Sequence, residues 1–219
     1  MRARSLASSL SVILTMLAAP GPAVSAEAGD STALVTGLAA QVKQVLRDDS
    51  LTSSERQQHF RRVLDEGFDF PMISRFVLGR YWQGSSEPFR EEFNRVFEDY
   101  VIQSLSTQFA SYASDSMKVT AMRTEGERST IVSTMIAQSD GVPQVKVDWR
   151  VEHTAAGYRI LDVSVSGISM ALAYRDQIAA VIDHGGGQVN TLIPALRNQL
   201  ERQASNSAFA NTRSNKGRP

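Results

Sequence analysis

The chain contains no cysteine among its 219 residues, and no disulfide framework can hold it together. Its stability must come from packing alone. Histidine is almost as scarce. The three present, His59, His153 and His184, are scattered, which leaves no zinc-ligand spacing. Charge of one sign is missing as well. The 23 Lys and Arg balance 23 Asp and Glu, so the basic excess that a general nucleic-acid surface needs to neutralise phosphates is absent. Neither a G-x-S-x-G element nor a Ser/His/Asp order of triad type occurs. No metal, cofactor or nucleic acid is expected.

One long apolar run is present, at the N-terminus. Arg2 and Arg4 precede Leu6 to Ala19, Pro20-Gly21 breaks the run, and Val24-Ser25-Ala26 places small residues where a signal peptidase reads. The run is too short to span roughly 30 Å of hydrocarbon, which disfavours a membrane anchor, and no second stretch of that kind follows. Residues 1–26 are predicted to be a cleaved signal peptide, and the mature, periplasmic chain to begin at Glu27. Losing Arg2 and Arg4 leaves 21 basic against 23 acidic residues. The remaining 193 residues suit one domain.

Helical spacing comes first along the chain. Leu34, Leu38, Val42, Val45 and Leu46 predict an amphipathic helix over 31–48. Thr52 with Glu55 reads as a capping box opening a second helix, which buries Phe60, Val63 and Leu64 and ends at Gly67. Asp69 and Pro71 start a short helix through Phe76 and Val77, stopped by Gly79. Ser86, Glu87 and Pro88 open the longest helix, to about Tyr112, with a stripe that includes Phe93, Phe97, Tyr100 and Val101.

After Ser114 the period falls to two. Strands are predicted at 117–124, 129–138, 144–153 and 158–166, with Gly126, Asp140-Gly141 and Gly157 in the hairpin turns. The third is the most regular: Val145, Val147, Trp149 and Val151 face one way, and Lys146, Asp148, Arg150 and Glu152 the other. Leu161, Val163 and Val165 continue the apolar face. Helical spacing returns from Ile168 to about Asp183 and from Val189 to about Gln203. Residues 204–219 read as a disordered tail. The fold class is therefore α+β, one domain over 27–203: a four-stranded antiparallel meander covered on one face by helices, with room for a cone-like apolar cavity between them. Periodicity alone does not separate a lined cavity from a filled core.

Three readings of the function follow from the residues. A pocket for an apolar ligand is one, an isomerase- or dehydratase-type enzyme another, and a protein-binding module with a filled core the third. The inward positions are almost wholly apolar, Tyr100 being the main exception, which disfavours the enzyme. Tyr81 and Trp82 suit a pocket mouth, where one end of an aromatic ring is wet, or equally a packing cluster at a helix end. Arg75, Arg80 and Arg175 are candidates for a phosphate headgroup or an acidic partner, against a plain reading as solvated surface arginines. His184 with Gly185-Gly186-Gly187 reads as a helix stop, since the strand–loop–helix context of a phosphate loop is missing.

Two stretches carry a family resemblance. They are Phe70-Pro71-Met72-Ile73-Ser74-Arg75-Phe76-Val77-Leu78-Gly79-Arg80-Tyr81-Trp82, and Asp162-Val163-Ser164-Val165-Ser166-Gly167-Ile168-Ser169 running on through Tyr174-Arg175-Asp176-Gln177. With Leu192-Ile193 and Leu196-Arg197 they resemble the MlaC family, the periplasmic auxiliary components of phospholipid-trafficking ABC systems once grouped as toluene-tolerance proteins. Gly167-Ile168-Ser169-Met170-Ala171 and the glycine run at 185–187 are closer to its hopanoid-associated branch. The resemblance implies a monomeric carrier that holds acyl chains between sheet and helices. Its partners would be an inner-membrane ABC transporter complex and an outer-membrane lipoprotein or porin complex. It also implies a lipid contact set of Phe76, Tyr81, Trp82, Phe93, Phe97, Tyr100, Val101, Val147, Trp149, Val163, Val165 and Ile168. At about 0.8 kcal/mol per methylene, two long acyl chains in water cost on the order of 20 kcal/mol, so a shuttle must enclose them.

Overall fold

A computed structural model describes residues 23–110, 116–137 and 144–215, and side chains over 29–106, 116–137 and 144–205. Residues 1–22, the Asp140-Gly141 turn and the end of the long helix at Tyr112 lie outside that set. Five helices lead: α1 (Ala23–Arg47), α2 (Ser53–Gly67), α3 (Phe70–Leu78), a one-turn α4 (Tyr81–Gly84) and α5 (Glu87–Ala110). The sheet follows as β1 (Ser116–Glu125), β2 (Ser129–Ala137), β3 (Val145–Thr154), β4 (Gly157–Val165) and β5 (Ile168–Ser169). After it come α6 (Met170–His184), a 3-10 turn (Val189–Thr191) and α7 (Leu192–Asn215).

The early helix boundaries fall where their caps dictate. The Thr52 hydroxyl accepts from the Glu55 amide at 3.3 Å, and the Glu55 carboxylate accepts from the Thr52 amide at 2.9 Å, the reciprocal pair that Thr-x-x-Glu spacing predicts. Asp69 accepts from the Met72 amide at 2.9 Å and starts α3. Pro71 sits in the first turn, where a missing amide costs nothing. Gly79 closes α3 at φ 55°, a left-handed conformation that side chains resist. Gly67 serves packing instead: a Cβ there would stand 2.1 Å from Leu38 Cδ1, so the tip of Leu38 occupies the space a side chain would need.

The strands form an antiparallel meander in the order β1-β2-β3-β4-β5. It has five strands rather than the four expected. Ile168 was expected to begin a helix, but it pairs with Val165 in β5, and Ser169 pairs with Ser164. Ser166 and Gly167, at φ 51° and 86°, fold the chain straight back onto β4. The helix begins only once the Ser169 hydroxyl accepts from the Leu172 amide at 3.1 Å. The period-3.6 spacing of Ile168, Ala171 and Leu172 is real, but strand pairing takes its first residue.

The two faces of the sheet divide as the alternation predicts. Val147, Trp149 and Val151 are buried with Val132 and Ile160 against the helices, which bring Val35, Leu38 and Val42 from α1, Phe60 and Leu64 from α2 and Phe93 and Phe97 from α5. The opposite face carries charge: Arg150 pairs with Glu125, Lys146 with Asp148 at 3.1 Å and Arg128 with Glu152 at 3.7 Å. The helices thus cover one face only. At the C-terminus, α7 continues to Asn215, where an unstructured tail was expected from residue 204. Neither glycine nor proline interrupts 195–216, so the helical hydrogen bonds run on although the sequence there is poor in apolar residues.

Candidate functional site

Sheet and helices enclose an apolar cavity. β3 contributes Val145, Val147 and Trp149 to its wall, and β4 contributes Leu161, Val163 and Val165. Val101 and Leu105 come from α5, Phe68 from the link between α2 and α3, and Phe70 and Ile73 from the start of α3. Met170, Ala171 and Tyr174 line it from α6, and Ile136 from β2. Its internal void measures about 120 Å³, and the whole space between the walls, open mouth included, about 940 Å³. A dry apolar void of roughly 150 Å³ holds one benzene. A longer apolar ligand would therefore fill the open part as well.

Exposure rises along β3, β4 and α5 in the same direction, which identifies the mouth. On β3, Val145 is half-buried, whereas Val147 and Trp149 are 4% and 2% exposed. On β4, exposure falls from 36% at Val165 to none at Ile160. On α5, Leu105 is half-buried, Val101 nearly covered and Phe97 wholly covered. The mouth therefore lies where Ile136, Val145, Val165, Leu105 and Met170 converge. Ile168 and Leu172, 66% and 51% exposed, stand beside it, one turn apart on the chain entering α6. Phe76 and Met72 add a second exposed apolar pair on α3.

Polar groups in the wall are already satisfied. Asp162 is its one acid, and both carboxylate oxygens are used. They accept from the Val163 and Ala171 amides at 2.8 and 2.9 Å and from the Ser169 hydroxyl at 2.6 Å. The Trp149 indole N–H donates at 3.0 Å to Thr134 Oγ1, which donates in turn to the Val147 carbonyl at 3.0 Å. Tyr174 packs edge-on against Phe97 at 5.6 Å and Tyr100 at 5.8 Å. Burial, with Tyr100 beside it, pushes its phenol up to about 12, and burial also raises that of Tyr100.

Of the residues the sequence singled out, the structure brings five into the wall: Val101, Val147, Trp149, Val163 and Val165. The other seven stand elsewhere. Phe93 and Phe97 are fully buried and belong to the core beneath the cavity. Their stripe on α5 is continuous with Val101, and spacing does not mark where core ends and cavity begins. Tyr100 lies behind Tyr174. Ile168 and Phe76 face outward, Phe76 because α3 turns Phe70, Ile73 and Val77 inward. Tyr81 and Trp82 were read equally as a pocket mouth or as a packing cluster at a helix end, and the Tyr81 hydroxyl donates to Asp183 at 3.0 Å. Asp183 is thirteen residues along α6 from Met170, roughly 20 Å at the helical rise. They form a packing cluster at the far end, where Arg90 lies over the Trp82 ring at 5.3 Å.

The arginines separate in the same way. Arg80 donates to Tyr81 at 2.7 Å and lies 3.7 Å from Asp183, at the far end. Arg175 lies over the Phe76 ring at 5.2 Å and against Gly79. Arg75 is exposed on the outer face of α3. His184 and its glycines form a helix stop, with Gly187 N–H donating to the Ile182 carbonyl at 2.9 Å. Eleven wall residues lie outside the contact set drawn from the sequence. Val145 and Leu161 were visible in the same alternations as Val147 and Val163, and Phe70 and Ile73 in the inward stripe of α3. Leu105 stood on the apolar stripe of α5, and nothing in the spacing singled out Tyr174 or Met170.

This architecture has a solved counterpart. A phospholipid-binding protein from Ralstonia solanacearum, determined in complex with a phospholipid, superposes with a TM-score of 0.69 at 20% identity. The match covers 80% of this chain and 99% of that one. At that identity the likeness establishes a shared fold. The family model described as MlaC protein matches residues 37–198, and the chain belongs to the MlaC family.

Proposed function

We propose that the protein is a periplasmic phospholipid carrier that performs no chemistry on its cargo. The observation that carries this reading is the cavity itself: apolar along its length, graded from a half-exposed mouth to a covered floor, and without an unsatisfied polar group in its wall. Asp162 already accepts three hydrogen bonds, and the single N–H of the Trp149 indole is taken. A phenol whose pKa is near 12 neither gives nor takes a proton readily at neutral pH. An acyl chain asks for nothing more than enclosure, since each buried methylene stabilises the complex by about 0.8 kcal/mol.

In this reading the headgroup stays at the mouth. Arg175 and Arg75, exposed on α6 and α3, are the candidates to meet its phosphate. Export follows cleavage after Ala26. The carrier works as a monomer between an inner-membrane ABC transporter complex and an outer-membrane lipoprotein or porin complex. A hopanoid-type lipid is the alternative cargo.

The test pairs binding with stability on one substitution. Protein purified from the periplasm and analysed by native mass spectrometry and lipid extraction should carry phospholipid. Val147→Trp places a ring in the cavity, so bound lipid should fall sharply while thermal unfolding of the stripped protein changes little. A filled site would instead lose about 1–3 kcal/mol to overpacking. A strongly destabilised variant with a normal lipid load would place the ligand elsewhere. Turnover of phospholipid by the pure protein would replace the carrier with an enzyme.

A further inference from the structure

We propose that Trp149 and Leu161 form the floor of the cavity and set the acyl length it admits. The inference rests on the carrier reading and adds a specificity to it. The walls end at one level. On β3 the cavity touches the inward residues 145, 147 and 149 but not Val151, which is 1% exposed and packed in the core. On β4 it reaches Leu161 and stops before Ile160.

A β-bulge makes this step. Arg150 pairs with Asp162 and Val151 with Ile160, so Leu161 is an extra residue without a partner. The side chains of Ile160 and Leu161 therefore fall on the same side of the sheet, one in the core and one in the wall. Phe68 bridges to Ile160, the Asp69 amide donates to the Ile160 carbonyl at 3.1 Å, and the Phe68 and Phe70 rings stack at 5.7 Å across the end. The Trp149 indole is pinned by Thr134 and cannot swing aside without breaking a buried hydrogen bond.

From Val145 at the mouth to Trp149 at the floor is about 13 Å at the strand rise. A chain in one leaflet of a membrane spans half of roughly 30 Å. The floor thus lies near the depth that a leaflet-length chain reaches. Any longer chain leaves methylenes in water, each weakening binding roughly fourfold.

The experiment offers lipid-stripped protein vesicles containing equal amounts of dimyristoyl, dipalmitoyl and distearoyl phosphatidylethanolamine, then measures the bound species by mass spectrometry. Trp149→Leu deepens the site and leaves Thr134 still bonded to the Val147 carbonyl. It should raise the stearoyl-to-myristoyl ratio about tenfold. Leu161→Phe, at a half-buried position facing the cavity, should lower that ratio by a similar factor. It carries the test alone if the tryptophan variant does not fold. Normal total uptake with an unchanged ratio in the folded variants overturns the gauge. A wild-type protein that takes up none of these lipids overturns the carrier reading, and the gauge with it.

Discussion

Tyr174 is the clearest case of a side chain whose chemistry is set by its surroundings. Its phenol is 7% exposed, and burial beside Tyr100 carries its pKa from an ordinary 10.0 to about 12. The folded state therefore holds this proton more tightly than the unfolded chain does. The resulting stability is complete below pH 10 and is lost as pH rises toward 12, a contribution on the order of 2–3 kcal/mol. Alkaline unfolding of wild type and Tyr174→Phe should diverge across that window, with the phenylalanine variant losing less. Parallel curves would mean that the phenol ionises as a free one does. Little of this was visible in the sequence, because a tyrosine at helical spacing reads the same in a core as in a cavity wall. Val147, Trp149 and Val163 were legible for a physical reason: a strand's period of two leaves an apolar residue only one direction to face. On α5 the stripe from Phe93 through Val101 crosses from core into cavity without any change of residue type.

Among the elements, α6 depends most on a single group. The Asp162 carboxylate ties β4 to the Ser169 hydroxyl and to the Ala171 amide in the first turn of the helix. It thereby joins the strand, the Ser166–Gly167 turn and the helix that walls the cavity. Asp162→Ala should cost about 2–4 kcal/mol through loss of charged hydrogen bonds and of a helix-terminal acceptor. Hydrogen exchange at the Ala171 amide should accelerate. Unchanged exchange there would assign the loss of stability to some other contact. Helix starts were readable where a side chain performs the capping, as at Thr52 and Asp69. β5 was not, because two residues carry no period and pair only once Ser166 and Gly167 have reversed the chain. The single turn of α4 escaped notice for the same reason, and the extension of α7 because low apolar content was taken for absence of helix.

At the scale of the molecule, no covalent cross-link assists the fold, and the cysteine-free core is continuous from α1 through the sheet to α6 and α7. Helix α1 spans the chain's predicted processing point, since it begins at Ala23. N-terminal sequencing of periplasmic protein should start at Glu27, so that cleavage takes four residues from the helix and leaves its buried Val35, Leu38, Val42 and Val45 untouched. A product that retains Met1 in the membrane fraction would refute export by this route. The sheet remains open at both ends of its strand order, and open edges are where proteins recruit further strands from one another. Here neither edge offers a straight row of backbone groups. On one side β5 has only two residues, and the rest of β4 is broken by the bulge at Leu161 and bridged by Phe68 at Ile160. The ten residues of β1 are interrupted by a register shift between Val119 and Ala121 and carry Lys118, Arg123 and Glu125. A concentrated population of these molecules therefore lacks the template for edge-to-edge growth, and an exposed sheet can coexist with an apolar interior without seeding fibres.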